Sequence, residues 1–413
     1  MKKIRFAIIG LGNRGWSLLR KAIMPIEGVE IVGLCDLYED RCERARAHVE
    51  SETGVSPYVS LDYKEMLEKT RPDAALVSTG WDCHAEIAIY CMEHKIAAAV
   101  EVGGAFSAEE CWSLVDTYER TGTPIMLMEN CCFNKAELLA TAMTRAGLFG
   151  EIVHCSGAYA HDLRGEILAS EENRHYRLQY YKDHNCDNYP THELGPIAKL
   201  LGINRGNRMV SLSSFASKAR GFEEYVKSNA DKINPNRIGE KYKQGDIVTT
   251  VITCEGGETI LLRLDASLPR TYNREFTVRG TKGMYEMGNN MVFLDGMKEY
   301  FDNMKGYLTY QDNAKEYEEK YLPEEWKKMS AEGAKSGHGG MDGVEFRAFV
   351  SALREGREMP IDVYDMAAWM SITYLSEKSI AEGGIPQQVP DFTRGAYKTR
   401  PLRDVMDLGT GSK

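Results

Sequence analysis

The chain has 413 residues, more than one hydrophobic core usually supports, so two domains are expected. Its composition, 43% hydrophobic and 27% charged with no low-complexity tract or internal repeat, is that of a folded globular protein, with disorder expected only over 409–413. A net charge of −10 argues against a nucleic-acid partner or an anionic membrane surface, because both need a concentrated basic patch to displace counterions.

The first apolar run, residues 6–11, follows Lys2, Lys3 and Arg5, but glycines and Asn13-Arg14 cut it too short for a signal segment or a membrane span. A cytoplasmic protein is expected. Residues 4–9 read as a strand, 16–23 as a helix and 29–35 as a second strand, with later strands at 74–78, 97–102 and 124–128. This alternation predicts an α/β chain that opens with a doubly wound parallel Rossmann sheet, a dinucleotide-binding domain over 1–135. Past that point the apolar runs lengthen and alternate, as at 248–254 and 259–264, with turn signals at Gly256-Gly257 and Gly280-Thr281-Lys282-Gly283. They predict a substrate-binding α+β domain over 136–413, built on a largely antiparallel sheet with helices on one face. Residues 299–336, rich in Lys, Glu and Tyr, read as a surface insertion, and 343–357 and 366–381 as helices. The ten cysteines have no C-x-x-C spacing, so reduced thiols are expected and no metal site.

Gly10-Leu11-Gly12-Asn13-Arg14-Gly15 follows the first strand directly and opens a helix. In that context the first glycine allows a tight turn, the second lets backbone N–H groups approach a pyrophosphate, and the third permits close helix–strand packing. Asp36 ends the second strand, where a carboxylate accepts hydrogen bonds from ribose hydroxyls and repels a 2′-phosphate. NAD is therefore the expected cofactor. Trp81 and His84, just past a later strand end, are candidates to line it, although a histidine there is equally often structural.

The second candidate site is Asn188-Tyr189-Pro190-Thr191-His192-Glu193-Leu194-Gly195-Pro196, which places a phenol and an imidazole three positions apart.

These residues, with Glu101-Val102-Gly103-Gly104 after a strand, resemble the glucose–fructose oxidoreductase and inositol dehydrogenase superfamily. Further stretches narrow the resemblance: Glu129-Asn130-Cys131-Cys132, Tyr159-Ala160-His161-Asp162-Leu163-Arg164, Ile203-Asn204-Arg205-Gly206 and His338-Gly339-Gly340-Met341-Asp342. With Tyr189-Pro190-Thr191-His192 and Gly280-Thr281-Lys282-Gly283, they look like glycoside hydrolase family 109, the NAD-dependent α-N-acetylgalactosaminidases. Ordinary dehydrogenases of the superfamily carry Glu-Lys-Pro where this chain has Glu101-Val102-Gly103, so the lysine that assists alcohol oxidation is missing.

The resemblance implies transient oxidation at C3 of a sugar, loss of the C2 proton, departure of the C1 substituent, addition of water and re-reduction. It places Asn13, Arg14, Glu101, Val102 and Asn130 beside the glycines, Asp36, Trp81 and His84 at the cofactor. Tyr159, Arg177, Tyr189, Pro190, Thr191, His192 and Tyr272 fall at the substrate. His192 suits a base at the C3 hydroxyl, because imidazole titrates near neutrality, and Tyr189 or Tyr272 suits proton exchange at C2 if a neighbouring charge lowers the phenol pKa. No carboxylate pair of the direct-displacement kind declares itself. A net sugar or cyclitol dehydrogenase and a non-catalytic NAD-binding sensor are the alternatives; the missing lysine counts against the first, the tyrosine and histidine against the second. The expected partner is a small-molecule glycoside, and a homo-oligomer is expected.

Overall fold

A computed structural model describes residues 3–333 and 338–408, so the expectation for 409–413 lies outside the described residues. It divides into two compact units, Met1–Phe133 with Glu324–Ala367, and Asn134–Pro323 with Ala368–Lys413.

The first unit is built on a six-stranded sheet: β1 (Ile4–Ile9), β2 (Val29–Cys35), β3 (Tyr58–Ser60), β4 (Ala74–Val77), β5 (Ala97–Glu101) and β6 (Ile125–Met128). The strand order is β3-β2-β1-β4-β5-β6 and every pairing is parallel. Strands β4, β5 and β6 are buried at every position, as strands covered on both faces must be, which is why they read as unbroken apolar runs. The helix Ala108–Thr121 between β5 and β6 starts at Ser107, whose hydroxyl accepts from Glu110 N–H at 3.1 Å, and stops at Gly122 in the left-handed region. The helix after the glycine loop begins at Asn13, three residues earlier than its apolar pattern suggests, and widens into a π turn over Leu19–Ile23.

Of the stretch 136–413 expected to form the second domain, residues 324–367 lie in the first unit. The reason is apolar: Phe346, Phe349 and Val350 on the helix Met341–Glu355 are buried, and the Phe349 ring stands edge-on to Phe6 of β1 at 6.2 Å. Trp326 Nε1 donates to the Phe133 carbonyl at 2.8 Å, so the last helix of the polar 299–336 stretch is also drawn in. The helices Asn303–Tyr310 and Lys315–Tyr321 bury no residue, as a surface insertion should.

The second unit carries β7 (Ile152–Ala160), β8 (Met209–Ala216), β9 (Ile247–Cys254), β10 (Thr259–Asp265), β11 (Thr277–Gly280), β12 (Gly283–Glu286), β13 (Met291–Leu294) and β14 (Gln387–Gln388). They form one eight-stranded sheet in the order β13-β12-β11-β7-β10-β9-β8-β14, with β7 and β10 parallel and the other neighbours antiparallel. One face is apolar and buried, with Val248 and Ile252 of β9 beside Leu264 and Ile260 of β10. The helix Thr191–Leu200 packs on β7; at Gly157 an added Cβ would lie 3.0 Å from the Glu193 Cβ, so glycine is what lets helix and strand approach. Among the described residues no helix is long and apolar enough to cross a membrane.

Candidate functional site

In the first unit every residue expected at the cofactor lies at or just past the carboxyl end of a parallel strand, or in the helix turn that follows. The glycine loop follows β1, Asp36 follows β2, Trp81 and His84 follow β4, Glu101 and Val102 lie at the end of β5, and Asn130 follows β6. The strand order reverses between β1 and β4, and dinucleotides bind at such a reversal. Gly10 has φ +94, and a Cβ there would overlap the Ser78 carbonyl; a Cβ at Gly15 would overlap the carbonyl oxygen of Gly10. Gly12 differs. Among the described residues a Cβ on it would meet only Arg41 Nη1 at 3.6 Å, ordinary contact, so none of them requires glycine there. Space kept clear at the first turn of a helix whose N-terminal amides carry no side-chain cap fits a pyrophosphate.

Asp36 is buried and already engaged. Its carboxylate accepts from Leu11 N–H at 2.6 Å and Tyr38 N–H at 3.0 Å, and Arg41 lies 3.6 Å away. It therefore holds the glycine loop. The Arg14 guanidinium donates to Glu101 at 2.9 Å and to both oxygens of Asp342, at 2.8 and 3.1 Å, and Asn130 Nδ2 donates to Asp342 at 2.7 Å. Burial opposes the Arg14 charge, but Glu101 and Asp342 outweigh it and hold the group protonated. Glu345, fully buried with no hydrogen-bond partner for either carboxylate oxygen among the described residues, is pushed well above the usual carboxylate range by burial and then by Glu101 and Asp342.

His84 is taken up by the backbone: Nδ1 faces the Gly103 carbonyl at 3.0 Å and Nε2 the Thr79 carbonyl at 3.2 Å. Burial lowers its pKa, so the ring is neutral and donates to one of the two. Gly103 and Gly104 both have φ +87; a Cβ at Gly103 would overlap the Trp81 indole, and one at Gly104 would lie 2.6 Å from the His84 Cβ. The buried Trp81 side chain thus accounts for the first of the two glycines that follow Val102, which is itself buried.

In the second unit the Tyr189 and Tyr159 rings stack at 4.2 Å, and His192 stands edge-on to both, at 4.8 and 5.4 Å. The Arg177 guanidinium lies 5.0 Å from the Tyr189 ring centre. Pro190 and Thr191 are buried, Pro190 as the residue before the helix Thr191–Leu200, so they fix where Tyr189 and His192 emerge. Tyr272 is half exposed and joins the cluster through His161, whose ring meets Tyr272 at 5.1 Å and Tyr159 at 6.0 Å.

Two family profiles together span most of the chain. One, described as the oxidoreductase family with NAD-binding Rossmann fold, matches residues 4–129, and the other, described as glycosyl hydrolase 109, C-terminal domain, matches residues 133–399. The chain belongs to glycoside hydrolase family 109. It is 37% identical to a glycosyl hydrolase family 109 protein of Stenotrophomonas maltophilia (strain K279a), over 97% of this chain and 91% of that one. It is 36% identical to an alpha-N-acetylgalactosaminidase of Bacteroides fragilis (strain ATCC 25285), over 98% and 95% of the two chains, and 33% identical to one of Tannerella forsythia, over 95% and 87%. Among solved structures, myo-inositol 2-dehydrogenase of Lactobacillus plantarum has a TM-score of 0.65 at 16% identity, covering 94% of this chain and 100% of that one. The WlbA dehydrogenase of Bordetella pertussis, in complex with NADH and UDP-GlcNAcA, has a TM-score of 0.65 at 15% identity over 94% and 98%. At such identities the likeness shows the fold. The family 109 protein is an NAD-dependent glycosidase.

Sequence reasoning gave no role to several residues the family 109 fold brings to these clusters. Asp342 grips Arg14 across 328 positions, and the motif around it was visible without its partner. His161 sits two residues past Tyr159, the spacing that puts side chains on one face of a strand, and that spacing was the available signal. Arg274, beside Tyr272, had no signal beyond its charge.

Proposed function

We propose that this enzyme cleaves an α-N-acetylgalactosaminide by oxidation at C3, elimination across C1 and C2, addition of water and re-reduction. The observation that carries the proposal is the grouping of Tyr159, Arg177, Tyr189 and His192 within one cluster. Three nearby acids are tied to arginines: Asp162 to Arg164 at 2.6 Å, Glu137 to Arg274 at 2.7 Å, and Asp265 to Arg270. Hydrogen bonding from Arg164 holds the Asp162 carboxyl below its ordinary range, whereas direct displacement with a carboxyl as general acid needs it protonated.

When bound, NAD supplies the reversible oxidation of the ring hydroxyl. His192 takes the proton of that hydroxyl and later returns it. A phenol of the cluster, Tyr189 or Tyr272, exchanges the C2 proton made acidic by the adjacent ketone. Arg177 and Tyr159 hold hydroxyl or acetamido groups and fix the ring. The names of the Bacteroides and Tannerella relatives support the acetamido sugar and the α anomer. Val102 and Gly103, where dehydrogenases carry lysine and proline, weigh against net oxidation. Ten cysteines, none of them in a disulfide, support a reducing, cytoplasmic setting, and the exposed Phe215 and Val251 on the neighbouring strands β8 and β9 support self-association.

Hydrolysis of an aryl α-N-acetylgalactosaminide in D₂O tests the route. Deuterium at C2 of the released sugar with no accumulation of NADH is expected. Product without C2 deuterium overturns the elimination, and NADH formed in step with product makes the protein a dehydrogenase.

A further inference from the structure

Tyr272 and Arg274 lie on a segment laid along the end of β7: Asn273 N–H donates to the Ala160 carbonyl at 3.0 Å, and Ala158 N–H to the Arg274 carbonyl at 2.6 Å. Extended backbone puts residues two apart on the same side. Arg274 Nη1 accordingly donates to the Tyr272 hydroxyl oxygen at 3.1 Å. The guanidinium is itself fixed, with Nε donating to Glu137 Oε1 at 2.7 Å. Glu137 is buried on the helix Lys135–Arg145, and its other oxygen accepts from Asn134 Nδ2. The charged groups are thus buried while the phenol they touch stands half exposed beside the aromatic cluster.

We propose that Arg274 is a positioning residue that makes Tyr272, and not Tyr189, the base at C2. This rests on the elimination reading above. A phenol titrates near 10 when unperturbed, so it is a poor base at neutral pH. A cation donating a hydrogen bond to the oxygen favours the phenolate over the phenol. The two candidates differ here, because Arg177 lies over the face of the Tyr189 ring, whereas Arg274 donates to the oxygen of Tyr272. His161, the titratable group facing Tyr272 from the end of β7, is held neutral chiefly by burial and adds no competing charge. Glu137 balances Arg274 from the opposite side and keeps the guanidinium from swinging away. In the step itself the Tyr272 oxygen gains the C2 proton as the C–H bond breaks. The electron pair passes to the C3 carbonyl oxygen and then expels the glycosidic oxygen from C1, which takes a proton from solvent; water then adds its hydroxyl at C1 and a proton at C2, and Tyr272 gives its proton back to solvent.

The test begins without substrate. Tyrosinate absorbance at 295 nm is titrated for the NAD-loaded wild type and for Tyr272→Phe, and the difference isolates one phenol. We expect it to ionise at least one pH unit below the ordinary tyrosine value, and to return to that value or above in Arg274→Met, with Arg274→Lys between. A Tyr272 phenol that titrates normally in the wild type overturns the proposal even if Arg274→Met does not fold, and so does one that Arg274→Met leaves unmoved. With substrate, Arg274→Met should slow C2 deuterium incorporation at least tenfold with little change in KM and move the rising limb of the pH profile upward. If the wild type incorporates no C2 deuterium while its Tyr272 still titrates low, the elimination reading fails and the Arg274–Tyr272 coupling stands.

Discussion

Gly12 and Gly15 stand three residues apart in one loop, yet alanine at each should do opposite things. Gly12 has φ −61 and ψ −172, which alanine adopts without strain, and the new Cβ would meet only Arg41 Nη1 at 3.6 Å. In the absence of NAD, Gly12→Ala should therefore leave stability unchanged or raise it by about 0.4–1 kcal/mol through the unfolded chain. At Gly15 the Cβ would fall on the Gly10 carbonyl oxygen, and moving that backbone should cost about 1–3 kcal/mol, the usual range for overpacking. With NAD the ranking changes. At a concentration of 100 times Kd the wild type gains about 2.7 kcal/mol from binding, and a tenfold loss of affinity in Gly12→Ala would leave about 1.4 kcal/mol at the same concentration. Urea denaturation with and without NAD, on protein stripped of nucleotide, measures all four quantities. If Gly12→Ala keeps the full gain from NAD, the pyrophosphate does not pass over Gly12 and the placement of the cofactor is wrong. If it loses stability without NAD as Gly15→Ala does, the argument from open space is wrong.

Asp36→Ala should weaken NAD binding by about 1–3 kcal/mol and also destabilise the nucleotide-free protein, because the Leu11 and Tyr38 amides lose a charged acceptor; unchanged denaturation without NAD would refute the loop-holding role. His192→Ala should keep the fold and NAD affinity while turnover falls roughly 10² to 10⁴-fold, and near wild-type turnover would return His192 to packing. Burial pushes the Asp187 carboxyl up to about 7, so between about pH 4 and pH 7 the native state holds a proton that the unfolded state has lost. The contribution of Asp187 to stability is therefore complete below about pH 4 and falls as pH rises, by up to about 1.4 kcal/mol per unit. Asp187→Asn should gain on the wild type at pH 8 relative to pH 5 in urea midpoints, and a constant difference across pH would show that Asp187 does not carry the raised pKa.

The parts of the fold legible in the sequence were those where burial follows a simple pattern along the strand. Strands β4 to β6 are covered on both faces and read as apolar runs; β9 and β10 alternate and are divided by Gly256-Gly257, which is where the chain turns. Strand β7 passed unseen because His154, Cys155, Ser156 and Gly157 break any apolar period, and Gly157 is there for the helix that packs on it. The return of 324–367 was hidden for another reason: a surface helix and a helix that closes a distant core can share the same amphipathic pattern, and only the partner, Phe6, tells them apart.

The candidate sites divide in the same way. Glycines and Asp36 carry their reason in a local geometry, and spacing along the chain reports it. Arg14 with Asp342, or Tyr272 with Arg274 and Glu137, are clusters whose meaning lies in contacts between segments, and no spacing reports those. The stretch Glu101-Val102-Gly103-Gly104 shows both kinds at once. That a lysine is missing is plain from the chain; why it is missing together with the proline is not. Gly103 has φ +87 with the Trp81 indole beneath it, whereas proline demands φ near −65. Proline at 103 is thus excluded by the backbone there, whose Cβ space is also filled by the indole of a tryptophan 22 positions earlier. A lysine placed at 102 alone would still adjoin the left-handed path that Gly103 and Gly104 take around Trp81 and His84, so the departure from Glu-Lys-Pro is built into the strand end and does not hang on a single side chain.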